Sequence, residues 1–171
     1  MKRKQIIDLV TAGLILILSS ACLMFNSLIH LKVIYLLLGV VGICCIMGFI
    51  KLFMCPNRVN TTFYIIFNAL VFLLLMILDY KNPTNLMVIL FIWTILMGFI
   101  SLNEDKKERD NNKSIWIAKI LLLLLFMVSG LLTIITLYDN AVKPIIEIGY
   151  FFYIYGIIKL ASPVSELLLQ K

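Results

Sequence analysis

Histidine occurs once in this chain, at His30, and acidic residues number only 9 among 171. There is no HExxH stretch, no nucleophile set beside a histidine and no paired-acid motif. A hydrolase or zinc enzyme needs a base, a nucleophile or a ligand set in such company, so those readings have nothing to stand on. No CxxC occurs. The cysteines are Cys22, Cys44, Cys45 and Cys55, and the adjacent pair Cys44-Cys45 points to different sides of any helix that carries it. That pattern argues against a disulfide framework or a metal site and suits apolar filler. Charge is scarce too, at 14% of residues, where a soluble domain carries about a quarter. The longest polar connection, Asn103–Lys113, is too short to fold alone. The expectation is a non-enzymatic protein with no catalytic residue, no cofactor and no metal.

What the chain has in abundance is apolar length. Hydrophobic residues make up 63% of it, and mean hydropathy is +1.07. The excess lies in six runs: Ile6–Phe25, Leu31–Phe53, Phe63–Leu78, Asn85–Leu102, Ile115–Tyr138 and Pro144–Ala161. Helices of this length cross about 30 Å of hydrocarbon. Backbone polar groups in lipid need partners within their own segment, which selects helices. Barrel strands would alternate apolar with polar, and Leu121–Phe126 does not. The start Met1-Lys2-Arg3-Lys4 with an apolar run resembles a signal peptide, and Leu18-Ser19-Ser20-Ala21-Cys22 approaches a lipobox. Ser19 stands where a lipobox wants an aliphatic residue, and the run is span-length, so an uncleaved first helix is expected.

The net charge of +6 follows from where the bases sit. Lys2, Arg3, Lys4, Lys51, Arg58, Lys106, Lys107, Arg109, Lys113, Lys119, Lys159 and Lys171 fall on one side of the spans, and Lys32, Lys81 and Lys143 on the other. This is no nucleic-acid footprint. The positive-inside rule puts both termini in the cytoplasm, and an even number of spans agrees.

A pentapeptide recurs at the end of every second span. It reads Gly48-Phe49-Ile50-Lys51-Leu52, Gly98-Phe99-Ile100-Ser101-Leu102 and Gly156-Ile157-Ile158-Lys159-Leu160. The spacing predicts three tandem membrane hairpins, about 6–54, 61–102 and 114–161, in one membrane domain of 1–171 with a cytoplasmic connector at 103–113. The expected fold class is an all-α integral membrane protein of six transmembrane helices. Gly39, Gly42, Gly48, Gly98 and Gly156 are expected helix-packing positions, with Gly39 and Gly42 on one face. Ser162-Pro163 reads as the start of a fresh helix along the inner leaflet.

Taken together, these features resemble the HdeD-like family of small bacterial membrane proteins, built from a short repeat of unknown function. In that repeat a first helix with small residues leads to a turn with proline, and the second helix ends in a Gly-Ile-x-x-Leu-like pattern. Hairpin 3 carries the likeness best, through Ser129-Gly130, Pro144 and Tyr155-Gly156-Ile157-Ile158-Lys159-Leu160. Hairpin 1 lacks the turn proline, and hairpin 2 has few small residues in Phe63–Leu78. The resemblance implies a plasma-membrane protein linked to stress or acid resistance, without catalytic residues. Its partners would be the lipid bilayer and another membrane protein, a second copy or a different chain. The alternative is a small-molecule transporter or a transporter's membrane subunit. Vitamin-transporter subunits of similar length usually carry a small-xxx-small alanine motif on helix 1, but Leu16 follows Ala12 and Phe25 follows Ala21 at that spacing.

Several polar residues stand out against this background. Glu147, one turn into the last span, suits a proton or ion role or a plain interfacial charge, with Lys143 as a partner four residues earlier. Asp79 and Asp139 hold similar places near their turns and suggest a repeated turn device. His30 on the outer side suits either pH sensing or a solvated turn. Asn68, Thr94, Ser129, Thr133 and Thr136 lie at depth, either as hydrogen-bond glue between helices or as a cavity lining. Tyr150, Tyr153 and Tyr155 read as packing and outer-belt aromatics.

The topology is open to direct test. A reporter active only outside the cytoplasm should be silent when fused after Lys171 and active when placed within 82–84. Signal from the Lys171 fusion overturns the orientation.

Overall fold

Every apolar run forms a helix. The computed structural model describes residues 3–25, 33–54, 58–78, 83–106, 113–139 and 143–169. They form α1 (Arg3–Phe25), α2 (Val33–Met54), α3 (Arg58–Ile77), α4 (Pro83–Lys106), α5 (Lys113–Asp139) and α6 (Pro144–Leu169). All six are long and apolar enough to cross a membrane. No strand occurs among the described residues. His30, Asp79, Cys55 and most of the polar turns lie outside them.

Large apolar side chains cover the outside. Phe53 is 86% exposed, Ile77 79% and Ile17 69%. A water-soluble domain does not present such a surface; a bilayer is its natural solvent.

Five of the helices, all but α2, are longer than their apolar runs suggest. α3 starts at Arg58 and takes in Asn60, Thr61 and Thr62, which hydropathy leaves out. α6 runs unbroken to Leu169 with Pro163 inside it, so no fresh helix starts at Ser162. Proline has no N–H to give, so the carbonyl of Lys159 lacks its usual helical donor there.

Each helix touches the next in sequence, and α6 touches α1, so the bundle closes into a ring, with α2 also reaching α6. The hairpin pairs α1–α2, α3–α4 and α5–α6 all touch. The three most extensive contacts, however, are α1–α6, α2–α3 and α4–α5. Contact is thinnest between adjacent helices at α3–α4. There a cleft of about 250 Å³ opens between Asn60, Phe63, Phe67, Leu96, Phe99 and Ile100.

The three extensive seams are where the repeated glycines lie. A Cβ added at Gly156 would stand 2.8 Å from Leu16 Cγ on α1. One at Gly48 would stand 2.8 Å from Ile65 Cγ1 on α3, and one at Gly98 2.7 Å from Met127 Sδ on α5. Each seam holds a second glycine: Gly149 against Leu23, Gly42 against Phe72 and Gly130 against Thr94. In every seam one residue number rises as its partner's falls, so the paired helices are antiparallel. In lipid no hydrophobic force draws helix to helix, and close backbone approach supplies the association.

One expectation needs correcting. Gly39 and Gly42 do not share a partner: Gly39 faces Leu18 on α1, and Gly42 faces Phe72 on α3. Three residues turn a helix by about 300°, which leaves the two some 60° apart. α2 lies between α1 and α3, and the boundary between its neighbours falls within that angle. Gly42 therefore belongs with Gly48.

The seams predict a graded mutational response. Gly48→Leu and Gly156→Leu should each cost about 1–3 kcal/mol, because the side chain must displace a packed neighbour. Gly13 has nothing within 4 Å of an added Cβ, so Gly13→Leu should melt like the parent. Thermal unfolding in detergent checks this, and equal melting of all three variants would contradict it.

Candidate functional site: a charged cluster at the end of the bundle that carries both termini

Charges inside membrane helices are rare and usually functional. Here Glu147 stands near the start of α6, and Asp8, Lys51 and Lys159 gather at the other end of the ring, where α1 begins and α6 finishes. Asp8 lies about one turn into α1, and Lys51 lies in the last turn of α2. Counted from the shared turn, Asp8 is 17 residues before the end of α1 and Lys51 is 18 after the start of α2. In an antiparallel pair that puts them at one depth. Lys51 Nζ meets Asp8 Oδ1 at 3.3 Å, both part-buried.

Lys159 of α6 lies beside this pair. Its Nζ stands 5.7 Å from the centre of the Tyr64 ring and 5.8 Å from that of Tyr155. No ion pair or hydrogen bond reaches it among the described residues. The Cys44 thiol adjoins both tyrosine hydroxyls, and the hydroxyls adjoin each other. Tyr155 Oη is nevertheless fully buried and, among the described residues, has no hydrogen-bond partner in good geometry. Asp8 is near enough to act electrostatically on both tyrosines.

Above the cluster the interior is sealed. Asn68 of α3 is wholly buried. Its Nδ2 donates to the Tyr64 carbonyl at 2.8 Å and lies 3.7 Å from Met97 Sδ. Trp93 Nε1 donates to Asn68 Oδ1 at 3.2 Å, which ties α4 to α3. The Trp93 ring meets Phe126, Phe151, Phe152 and Tyr155 edge-on at 5.0–6.1 Å between centroids. Edge-to-face contact sets the positive ring edge against the negative ring face.

The α6 residues that enter this interior follow four-residue steps: Glu147, Phe151, Tyr155 and Lys159. Such steps keep to one side of a helix with a slow drift. Glu147 is 9% exposed, and among the described residues neither carboxylate oxygen has a hydrogen-bond partner. The expected pair with Lys143 does not form, because Lys143 is exposed and precedes the helix, which starts at Pro144. About 12 Å of helix, at 1.5 Å per residue, separates Glu147 from Tyr155, and Phe151 and Phe152 fill that stretch.

The other polar candidates divide. Asn68 does join two helices. The α5 row does not: Ser129 Oγ donates to the Phe126 carbonyl, Thr133 Oγ1 to Ser129, and Thr136 Oγ1 to Leu132 and Thr133. All of these bonds stay within α5, so the row does not glue α5 to a neighbour; a hydroxyl on a helix satisfies itself most cheaply on its own preceding turn. Tyr155 is buried well inside the bundle and belongs to no outer belt, while Tyr150 is 57% exposed. Among the described residues no three His, Cys, Asp or Glu side chains come together as a metal site.

Asp8 and Tyr64 escape a reading by composition, and Lys51 and Lys159 there serve only as topology markers. The signal was present nonetheless. Both lysines occupy the variable fourth position of the pentapeptide, with Ser101 there in the second copy.

The Asn68–Trp93 bond should register as coupling. Asn68→Ala and Trp93→Phe should be non-additive by about 0.5–1.5 kcal/mol in a double-mutant cycle of thermal stability. Additivity within about 0.3 kcal/mol would show that the bond contributes nothing. No protein-family model matches this chain, and neither a curated protein nor a solved structure does.

Proposed function

We propose that this chain is a non-enzymatic, multi-pass protein of a bacterial plasma membrane, with both termini cytoplasmic. In this reading it serves in stress or acid resistance, like the HdeD-like proteins it resembles in its repeated hairpins. The observation that carries the reading is the filled interior. Trp93, Phe126, Phe151, Phe152 and Tyr155 close the middle of the ring, each at most 3% exposed. A conducting path needs room and polar lining at that depth. The charges of the bundle interior, Asp8, Lys51, Lys159 and Glu147, lie toward its two ends, which suits a protein that acts through partners or lipid at the membrane surfaces.

One observation favours the transport alternative. Glu147 is a buried carboxylate with no hydrogen-bond partner among the described residues of a spanning bundle, and such residues mark ion and proton pathways.

Two measurements separate the readings. Purified protein in liposomes should pass protons and small cations no faster than protein-free vesicles, and Glu147→Gln should not change that. A deletion strain should survive acid exposure less well than its parent, with survival restored by the intact gene. Flux above the control that Glu147→Gln abolishes would replace this proposal with transport. Equal survival of deletion and parent would remove the stress role.

A further inference from the structure

We propose that the cluster of Lys159, Tyr155 and Tyr64 is a binding site for a phosphate-class oxyanion, reached from the end of the bundle that carries both termini. Among the described residues the cluster presents donors without acceptors. An ammonium group offers three N–H donors and accepts nothing, and each phenol offers one O–H. Among the described residues, Lys159 Nζ stands over the faces of Tyr64 and Tyr155, at 5.7 and 5.8 Å, and makes no hydrogen bond or ion pair. Ring faces attract the charge but leave the N–H groups without a lone pair. Among the described residues no carboxylate pairs with Lys159, whereas Lys51 has Asp8 at 3.3 Å.

Tyr155 Oη is a second, independent observation. The residue is 3% exposed, and among the described residues its hydroxyl has no hydrogen-bond partner in good geometry, with the Cys44 thiol and the Tyr64 hydroxyl nearby. Leaving a buried hydroxyl unpaired is costly, and native structures rarely do so without a reason. A cation in a spanning helix beside an unsatisfied donor calls for a compact anion with several acceptor oxygens.

Access is consistent with this. Lys159 and Tyr64 are part-exposed while Tyr155 is buried behind them. Lys159 reaches inward over the two rings and does not extend along the outer surface of α6. A helix that only needed a basic anchor for the headgroup layer would turn that lysine outward. The same oxygen chemistry is offered by the headgroup of an anionic phospholipid and by free phosphate in solution.

The test uses the full-length protein, purified in neutral detergent and also placed in phosphatidylcholine nanodiscs. The probes are inorganic phosphate in the first case and added phosphatidylglycerol in the second. The readouts are the shift in melting temperature with probe and, for the lipid, the amount retained by native mass spectrometry. Wild type should show saturable stabilisation by at least one probe. Response to phosphatidylglycerol alone identifies a lipid site, and response to phosphate identifies a soluble ligand. Lys159→Gln should weaken binding about tenfold, as loss of a charge-assisted bond does. Tyr155→Phe should weaken it by a few-fold, about what one neutral hydrogen bond contributes. Lys143→Gln removes an exposed base at the opposite end and should bind like wild type. The proposal fails if wild type saturates with neither probe, or if Lys159→Gln binds within twofold of it. If Lys159→Gln does not fold, Tyr155→Phe decides: unchanged affinity overturns the site.

Discussion

In a bilayer, apolar surface is no reason for one helix to seek another. The contact that the rest of this molecule depends on is therefore the glycine seam. At α1–α6, α2–α3 and α4–α5, glycine leaves a hollow that a neighbouring side chain occupies. Dispersion contacts are individually tiny, and only close fit sums them to a useful total. The α1–α6 seam joins the first helix to the last. Without it the ring is an open row, and the interior has no wall on one side.

Closure decides where polar groups can sit. Asn68 is tolerated at full burial because Trp93 and the Tyr64 carbonyl answer it. Trp93 is held in turn by four aromatic rings from α5 and α6. The centre is thus a buried aromatic block, fastened to α3 through Asn68. Charge is displaced to either side of that block. Glu147 lies toward the turn between α5 and α6, and the Asp8–Lys51 pair with Lys159 lies toward the termini. The thin α3–α4 contact and its cleft mark the side of the ring with least to hold it shut.

The helical class was legible because hydropathy and length report directly on a bilayer. Residue numbers alone marked Gly48, Gly98 and Gly156 as packing positions, through the repeated pentapeptide. Which helix each glycine meets was not legible, since helical phase says nothing about where one neighbour gives way to the next. Gly39 and Gly42 illustrate this. Ser129, Thr133 and Thr136 illustrate another limit: sequence places hydroxyls on one face but cannot say that each turns back to its own helix. The charged cluster was legible only in part. Matching depths of Asp8 and Lys51 follow from counting back from a turn. The approach of Lys159 to Tyr64 needs the α2–α6 contact across the ring, and no local pattern encodes it.

The central claim is ring closure through α1 and α6, and disulfide trapping tests it most directly. Gly149 and Leu23 face each other there, with an added Cβ at Gly149 falling 2.9 Å from Leu23 Cδ2. In a background with the native cysteines replaced by serine or alanine, Leu23→Cys and Gly149→Cys are combined. A protease site is inserted within 107–112, between α4 and α5. The account predicts that mild oxidation in the membrane, followed by cleavage, leaves the two fragments joined until reductant is added. Fragments that separate without reductant, while each single-cysteine variant folds normally, would contradict a closed ring.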